Sequence, residues 1–180
     1  PPRRLEELPW QLMQAGEWQQ LYDLLADLEV FEALHEHNEF DLLTYWAAVE
    51  TSTALKRTDA YREAAGREMP LHLLNWLSVM YMQTGYLDEA MEMLKEQERI
   101  CRQLDNLDSL SDSLANQSLI LYARGNLDEA MELTKEAERL FRKLDKLNEL
   151  VISLGAQARI LDHWGRLDEA MELHKEKERI

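Results

Sequence analysis

GNLDEAMELTKEAERL, residues 125–140, stands between two near copies of itself: GYLDEAMEMLKEQERI at 85–100 and GRLDEAMELHKEKERI at 165–180. Eleven of the sixteen positions are the same in all three, and the copies begin 40 residues apart, at Gly85, Gly125 and Gly165. A fixed period of about 20–50 residues marks a solenoid, in which each unit buries its apolar face against its neighbours.

Within a copy the apolar spacing is helical. Leu127, Ala130, Met131, Thr134, Ala137, Phe141 and Leu144 fall on one face of a helix. Leu110, Leu114, Gln117 and Leu121 form a second such stripe ahead of Gly125, and Leu150, Leu154, Gln157 and Leu161 repeat it ahead of Gly165. No proline follows Pro70, so only turns interrupt these helices. Each period therefore reads as a helix pair, with the glycine in the left-handed position that closes the first helix. Asn126 is expected to cap the next helix, with Glu129 completing a capping box, while Tyr86 and Arg166 are poorer caps. Ala90, Ala130 and Ala170 are small where paired helices must approach closely. Glu98 before Arg102 and Glu138 before Arg142 are i,i+4 pairs, expected to face solvent and to be worth roughly 0.2–0.5 kcal/mol each.

A helix followed by G-x-L-D-E-A resembles the tetratricopeptide repeat, and the resemblance covers residues 70–180. Ser78, Ser118 and Ala158 match the family's small position in the first helix, and Ala90, Ala130 and Ala170 that in the second. The period of 40 exceeds the usual ~34 residues, as in the longer repeats of kinesin light chains and nephrocystin-like proteins, and the family's closing proline is missing. The resemblance implies an all-α, right-handed α-solenoid of antiparallel helix pairs. Its repeats are expected at 70–106, 107–146 and 147–180, the last one truncated at an end free to stack head to tail or as a dimer.

Residues 1–69 lack the repeat but keep helical patterning, and are expected to form an atypical capping or adaptor segment. Leu5, Leu8, Leu12 and Met13 precede Gly16, while Trp18, Leu21, Tyr22, Leu25 and Leu28 follow it, giving one more glycine-turn pair. Short amphipathic stretches then run from Val30 to Leu34, from Phe40 to Glu50 and from Leu55 to Ala65. The run LPWQLMQAGEWQQLYDLLADLEVFEALHEHNEFDLLTYW resembles the helical segment that follows the nucleotide-binding module of STAND-type signalling NTPases, the NACHT and NB-ARC relatives. Leu8, Trp10, Gly16, Trp18, Leu24, Leu25, Leu28, Phe31, Ala33, Asp41, Leu42 and Leu43 carry that likeness. It implies a fragment of a larger sensor whose NTPase module lies elsewhere.

Charge narrows the partners. The 180 residues carry 20 basic and 35 acidic groups, a formal −15 spread along the chain, which repels nucleic-acid phosphates and anionic lipid and favours basic partners. No apolar run approaches the length of a membrane span. Cys101, the only cysteine, lies among Ile100 and Leu104 and reads as a packed hydrophobe; a chain that forms no internal disulfide is expected in the cytoplasm.

No phosphate-cradling glycine motif is present. His35, Glu36, His37 and Glu39 invite a metal reading, but residues two apart on a helix diverge, and a zinc helix spaces its histidines by four. His163 and His174 gain no third ligand. No nucleophile, base and orienter converge, so the expectation is no catalytic residue, no metal and no cofactor. Trp46, Trp76 and Trp164 are expected in the core.

Sameness marks what folding needs, so a partner should be read where copies differ. The tetratricopeptide resemblance places the concave groove on the first helices. Carried over by position it gives His72, Asn75, Val79, Met82 and Gln83, then Asp112, Ala115, Leu119, Tyr122 and Ala123, then Ile152, Gly155, Arg159, Asp162 and His163. These do not form the Lys, Asn and Arg clamp by which some relatives hold acidic tails. The implied function is protein or peptide capture, with self-assembly as the alternative.

Overall fold

The computed structural model describes residues 2–65 and 69–180, and every regular element among them is helical. Pro1 and residues 66–68, just before the expected boundary at 69, lie outside the described residues, as does the side chain of Leu5. Ten helices follow in order: α1 (Pro2–Ala15), α2 (Trp18–Ala26), α3 (Leu28–Ser52), α4 (Arg57–Ala65), α5 (Leu71–Gln83), α6 (Leu87–Leu104), α7 (Leu107–Ala123), α8 (Leu127–Leu144), α9 (Leu147–His163) and α10 (Leu167–Arg179). None is long and apolar enough to cross a membrane among the described residues. The chain divides within α5 into two compact units, one ending at Trp76 and one spanning Leu77–Ile180.

In the first unit Gly16 takes φ +72°, which lets its N–H reach Met13 O (3.2 Å) and the Glu17 N–H reach Leu12 O (3.0 Å). That double bond pattern closes α1 and starts α2, as the glycine-turn reading expects. Asp27 opens α3, its carboxylate accepting from the N–H groups of Glu29 and Val30 at 2.8 and 3.3 Å. The two stretches expected at Val30–Leu34 and Phe40–Glu50 join in α3 across a break at Asn38. There Asn38 Oδ1 accepts from Phe40 N–H (3.1 Å), so the residue acts as an internal cap. The core gathers Leu21, Leu25, Phe31, Leu42, Trp46, Val49 and Tyr61. Tyr61 O–H donates to Leu25 O (2.5 Å), and Trp46 Nε1–H donates to Tyr61 Oη (3.3 Å), so the aromatic core keeps its polar ends paired. Arg57, buried beside Trp46, donates from Nε and Nη2 to the two oxygens of Glu50 at 2.9 and 2.7 Å.

The second unit repeats one device. Gly85, Gly125 and Gly165 all have positive φ, and each residue after them bonds back to the carbonyl five positions earlier: Tyr86 to Tyr81, Asn126 to Leu121, Arg166 to Leu161. Ala90, Ala130, Ala170, Ser78, Ser118 and Ala158 are all buried, as close helix pairing requires. α7 packs on both α6 and α8, and α9 on both α8 and α10, which is the nearest-neighbour order of a solenoid.

Several expectations change. Asn126 makes no side-chain capping bond: its ψ of 63° lies further from the extended value that aims a cap side chain at the helix amides than the 86° of Asn106 or the 123° of Asp27, both of which cap. Capping moves instead to Asn106, whose Oδ1 accepts from Ser109 N–H at 3.1 Å. Trp164 is exposed, because it follows α9 at the turn; Trp46 is core and Trp76 half-buried. The longer period has two sources. α7 and α9 have 17 residues where α5 has 13, and Asp105 and Asp145 add a left-handed turn after α6 and α8.

Candidate partner-binding surface

The carried-over groove positions lie on first helices of their pairs, and each unit holds its own share. In the first unit His72 Nε2 lies 2.9 Å from Glu32 Oε1. Trp76 separates two histidine rings, with His35 stacked on it at 4.3 Å and 10° and His72 edge-on at 5.2 Å. Burial holds the His35 imidazole below its ordinary range, against the opposing pull of Glu39 and Glu36. His35 is thus a ring in a stack, with Nε2 3.8 Å from Glu39, and Asn75 is half-buried.

In the second unit the groove positions fall on α5, α7 and α9. Tyr122 and His163 meet edge to face at 5.9 Å, and the Arg159 guanidinium lies over the Tyr122 ring at 5.8 Å. Arg159 is exposed and has no hydrogen bond or ion pair among the described residues. It is also the one Lys or Arg on α7, α9 and the Leu77–Gln83 part of α5. Ile152, 65% exposed, and the half-buried Leu119, Val79 and Met82 add apolar surface along these helices.

Two groove positions are engaged within the fold. Lys146 Nζ sits 2.8 Å from Asp108 Oδ1 and 3.2 Å from Asp112 Oδ1. Burial opposes the Lys146 charge, but the hydrogen bonds to Asp108 and Asp112 outweigh it and hold the ammonium above its ordinary range. Burial keeps the Asp112 carboxyl above the usual carboxylate range even with Lys146 beside it. At Gly155 an added Cβ would lie 3.0 Å from Lys177 Nζ, so this glycine makes room for a side chain of α10. The structure thus brings Tyr122, Arg159 and His163 together, and turns Asp112 and Gly155 towards internal partners.

The Glu–Arg pairs expected to face solvent are partly covered at Glu98 and Glu138 and reach beyond their own helix. Glu98 accepts from Arg102 Nε (2.8 Å) and from Gln117 Nε2 (2.7 Å), while Arg102 Nη2 reaches Glu136 at 2.9 Å. One period later Glu138 accepts from Arg142 Nε (2.9 Å) and Gln157 Nε2 (2.5 Å), and Arg142 Nη2 reaches Glu176 at 2.5 Å. These ladders tie each repeat to the next. Their signal in the sequence is a shared separation: Arg102 to Glu136, Arg142 to Glu176 and Asp112 to Lys146 are all 34 residues apart.

Residues 71–104 match the tetratricopeptide repeat family. The fold is that of tetratricopeptide repeats. A TPR repeat-containing protein of Dictyostelium discoideum is 36% identical over 70 residues, 38% of this chain and 4% of that protein's length. Among solved structures, the nearly identical TPR-like repeats of a Podosopora anserina protein described as a kinesin light chain align with TM-score 0.57 at 19% identity, covering 98% of this chain and 92% of theirs. BtubC (BKLC) from P. vanneervenii aligns with TM-score 0.59 at 14% identity, over 97% of this chain and 68% of its own. At these identities the likeness is one of fold.

Proposed function

We propose that the chain is a non-enzymatic interaction scaffold that captures a protein or peptide partner on the first helices of its repeats, with Tyr122, Arg159 and His163 as the anchor. The observation that carries this is the Arg159 guanidinium, exposed over Tyr122 and free of any carboxylate in a chain of charge −15. Such a cation is stacked in place yet keeps its donors for a ligand. The surrounding acidic surface favours partners with basic flanks, while Arg159 takes a carboxylate or carbonyl at the anchor itself.

Residues 1–69 belong, in this reading, to the helical segment of a STAND-type signalling NTPase, which makes the repeats the sensing region of a cytoplasmic receptor. Its support is the resemblance in the run from Leu8 to Trp46, and a P-loop in the parent reading frame is its test. The scaffold itself is tested by a photo-crosslinking residue at Ala123, compared with one at Lys135 on α8. Expected is a protein adduct from position 123 that disappears in the Tyr122→Ala, Arg159→Ala double variant while the melting temperature holds. Adducts equal at both positions, or indifferent to the double variant, would overturn it.

A further inference from the structure

The third helix pair departs from the first two at three positions in concert. Asn75 and Ala115 give way to Gly155, Val79 and Leu119 to Arg159, and Gln97 and Ala137 to Lys177. Gln97 and Ala137 are buried, so Lys177 places an ammonium where the earlier pairs hold an uncharged side chain. Glycine inside a helix such as α9 is about 0.5–1 kcal/mol less favourable than alanine. Gly155 makes the room that Lys177 uses. A Cβ there would meet Lys177 Nζ at 3.0 Å, Cε at 3.6 Å and Cδ at 3.8 Å, so the lysine side chain lies across the glycine.

Arg159 follows Gly155 by one turn on the same face of α9. Neither Arg159 nor Lys177 has a hydrogen bond or ion pair among the described residues. The acids around them are engaged elsewhere: Lys146 holds Asp108 and Asp112 of α7, and Arg142 holds Glu176, the neighbour of Lys177 on α10. Asp162 and Glu178, exposed on the same two helices, bond to neither cation. A chain of charge −15 thus keeps two unpaired cations within one helix pair, one of them admitted by a glycine.

We propose that Arg159 and Lys177 together bind a phosphorylated side chain of the captured peptide. This rests on the reading of Tyr122, Arg159 and His163 as the anchor of partner capture. Arg159 alone suits a single carboxylate or carbonyl, whereas two cations match a dianion, and a phosphomonoester carries about −1.5 to −2 at neutral pH. The guanidinium fork engages two phosphoryl oxygens and the ammonium supplies a compact charge for the third.

The test titrates methyl phosphate at pH 7.5 into the full isotope-labelled chain and follows the amide signals of Gly155 and Arg159. Expected are saturable shifts with a midpoint in the millimolar range. Methyl sulfate, a monoanion of the same shape, and acetate should bind at least about fivefold more weakly, as should the Arg159→Gln and Lys177→Gln variants towards methyl phosphate, each case losing one charge interaction at a solvent-facing site. Gly155→Ala should weaken binding too, because its Cβ displaces Lys177 Nζ, while the melting temperature holds or rises. Shifts that stay linear, or equal midpoints for the three anions, would overturn the proposal, and so would a midpoint unmoved by Lys177→Gln. Those results leave partner capture standing, since the adduct at position 123 reads it separately. Failure of capture shows instead as an adduct indifferent to Tyr122 and Arg159, which methyl phosphate does not report.

Discussion

Asp105 and Asp145 sit at φ 53° and 58°, the left-handed region where a Cβ is crowded, yet both close a helix as the glycines do. Their N–H groups and those of Asn106 and Lys146 bond back to the last turn of α6 and α8, so the strain is held in place by the cap. Asp145→Gly should therefore stabilise the second unit by roughly 0.5–1 kcal/mol, read as a rise in the urea midpoint. A fall would mean that the Asp145 carboxylate contributes more than its backbone costs. In the first unit the residue to follow is His35. Its folded pKa lies below the unfolded ~6.5, so the stability tied to its neutral ring is fully present above ~6.5 and is lost as pH falls below that value towards the folded pKa. His35→Phe keeps a ring against Trp76 and removes the titration. Between pH 7.5 and 5 the urea midpoint of the parent should drop further than that of the variant, and parallel curves would remove His35 from the explanation.

At the scale of the helix, Glu138 and Glu136 separate two kinds of acidic residue that look alike in the repeat. Glu138 is largely covered and accepts from both Arg142 and the buried Gln157, while Glu136 accepts from Arg102 at a more open site. Glu138→Ala leaves a buried amide without its acceptor and should cost about 1–2 kcal/mol. Glu136→Ala should cost under about 0.5 kcal/mol, as exposed pairs do. Equal costs in urea titrations would show that the ladder, not burial, sets the energy. The helices themselves were legible, because three copies fix period, turn glycine and packing alanine together. The ladder was not, since a 34-residue separation acquires meaning only once the fold brings Arg102 to Glu136 and Arg142 to Glu176, one repeat further on. Asn126 misled for a similar reason: residue type announces a cap, but ψ decides whether the side chain reaches the amides. The break at Asn38 left a trace, an asparagine ahead of a fresh apolar series, yet no repeated copy was there to confirm it.

For the repeats as a whole, the candidate partner surface was legible only as positions inherited from a resemblance. Which of them converge depended on α7 and α9 being neighbours, and that adjacency brought Tyr122, Arg159 and His163 together while Lys146 took Asp112 inward. The same adjacency sets how damage spreads. Ala130 is fully buried on α8, which packs against both α7 and α9. Ala130→Trp forces a large ring into that space, an overpacking worth about 1–3 kcal/mol or more, so the melting temperature of the second unit should fall by several degrees. Because repeats draw their stability from interfaces with their neighbours, α7 and α9 should both lose hydrogen-exchange protection along with α8. Loss confined to α8 would describe a helix that yields alone, and an unchanged midpoint would contradict the close approach at Ala130 on which the pairing of α7 with α8 rests.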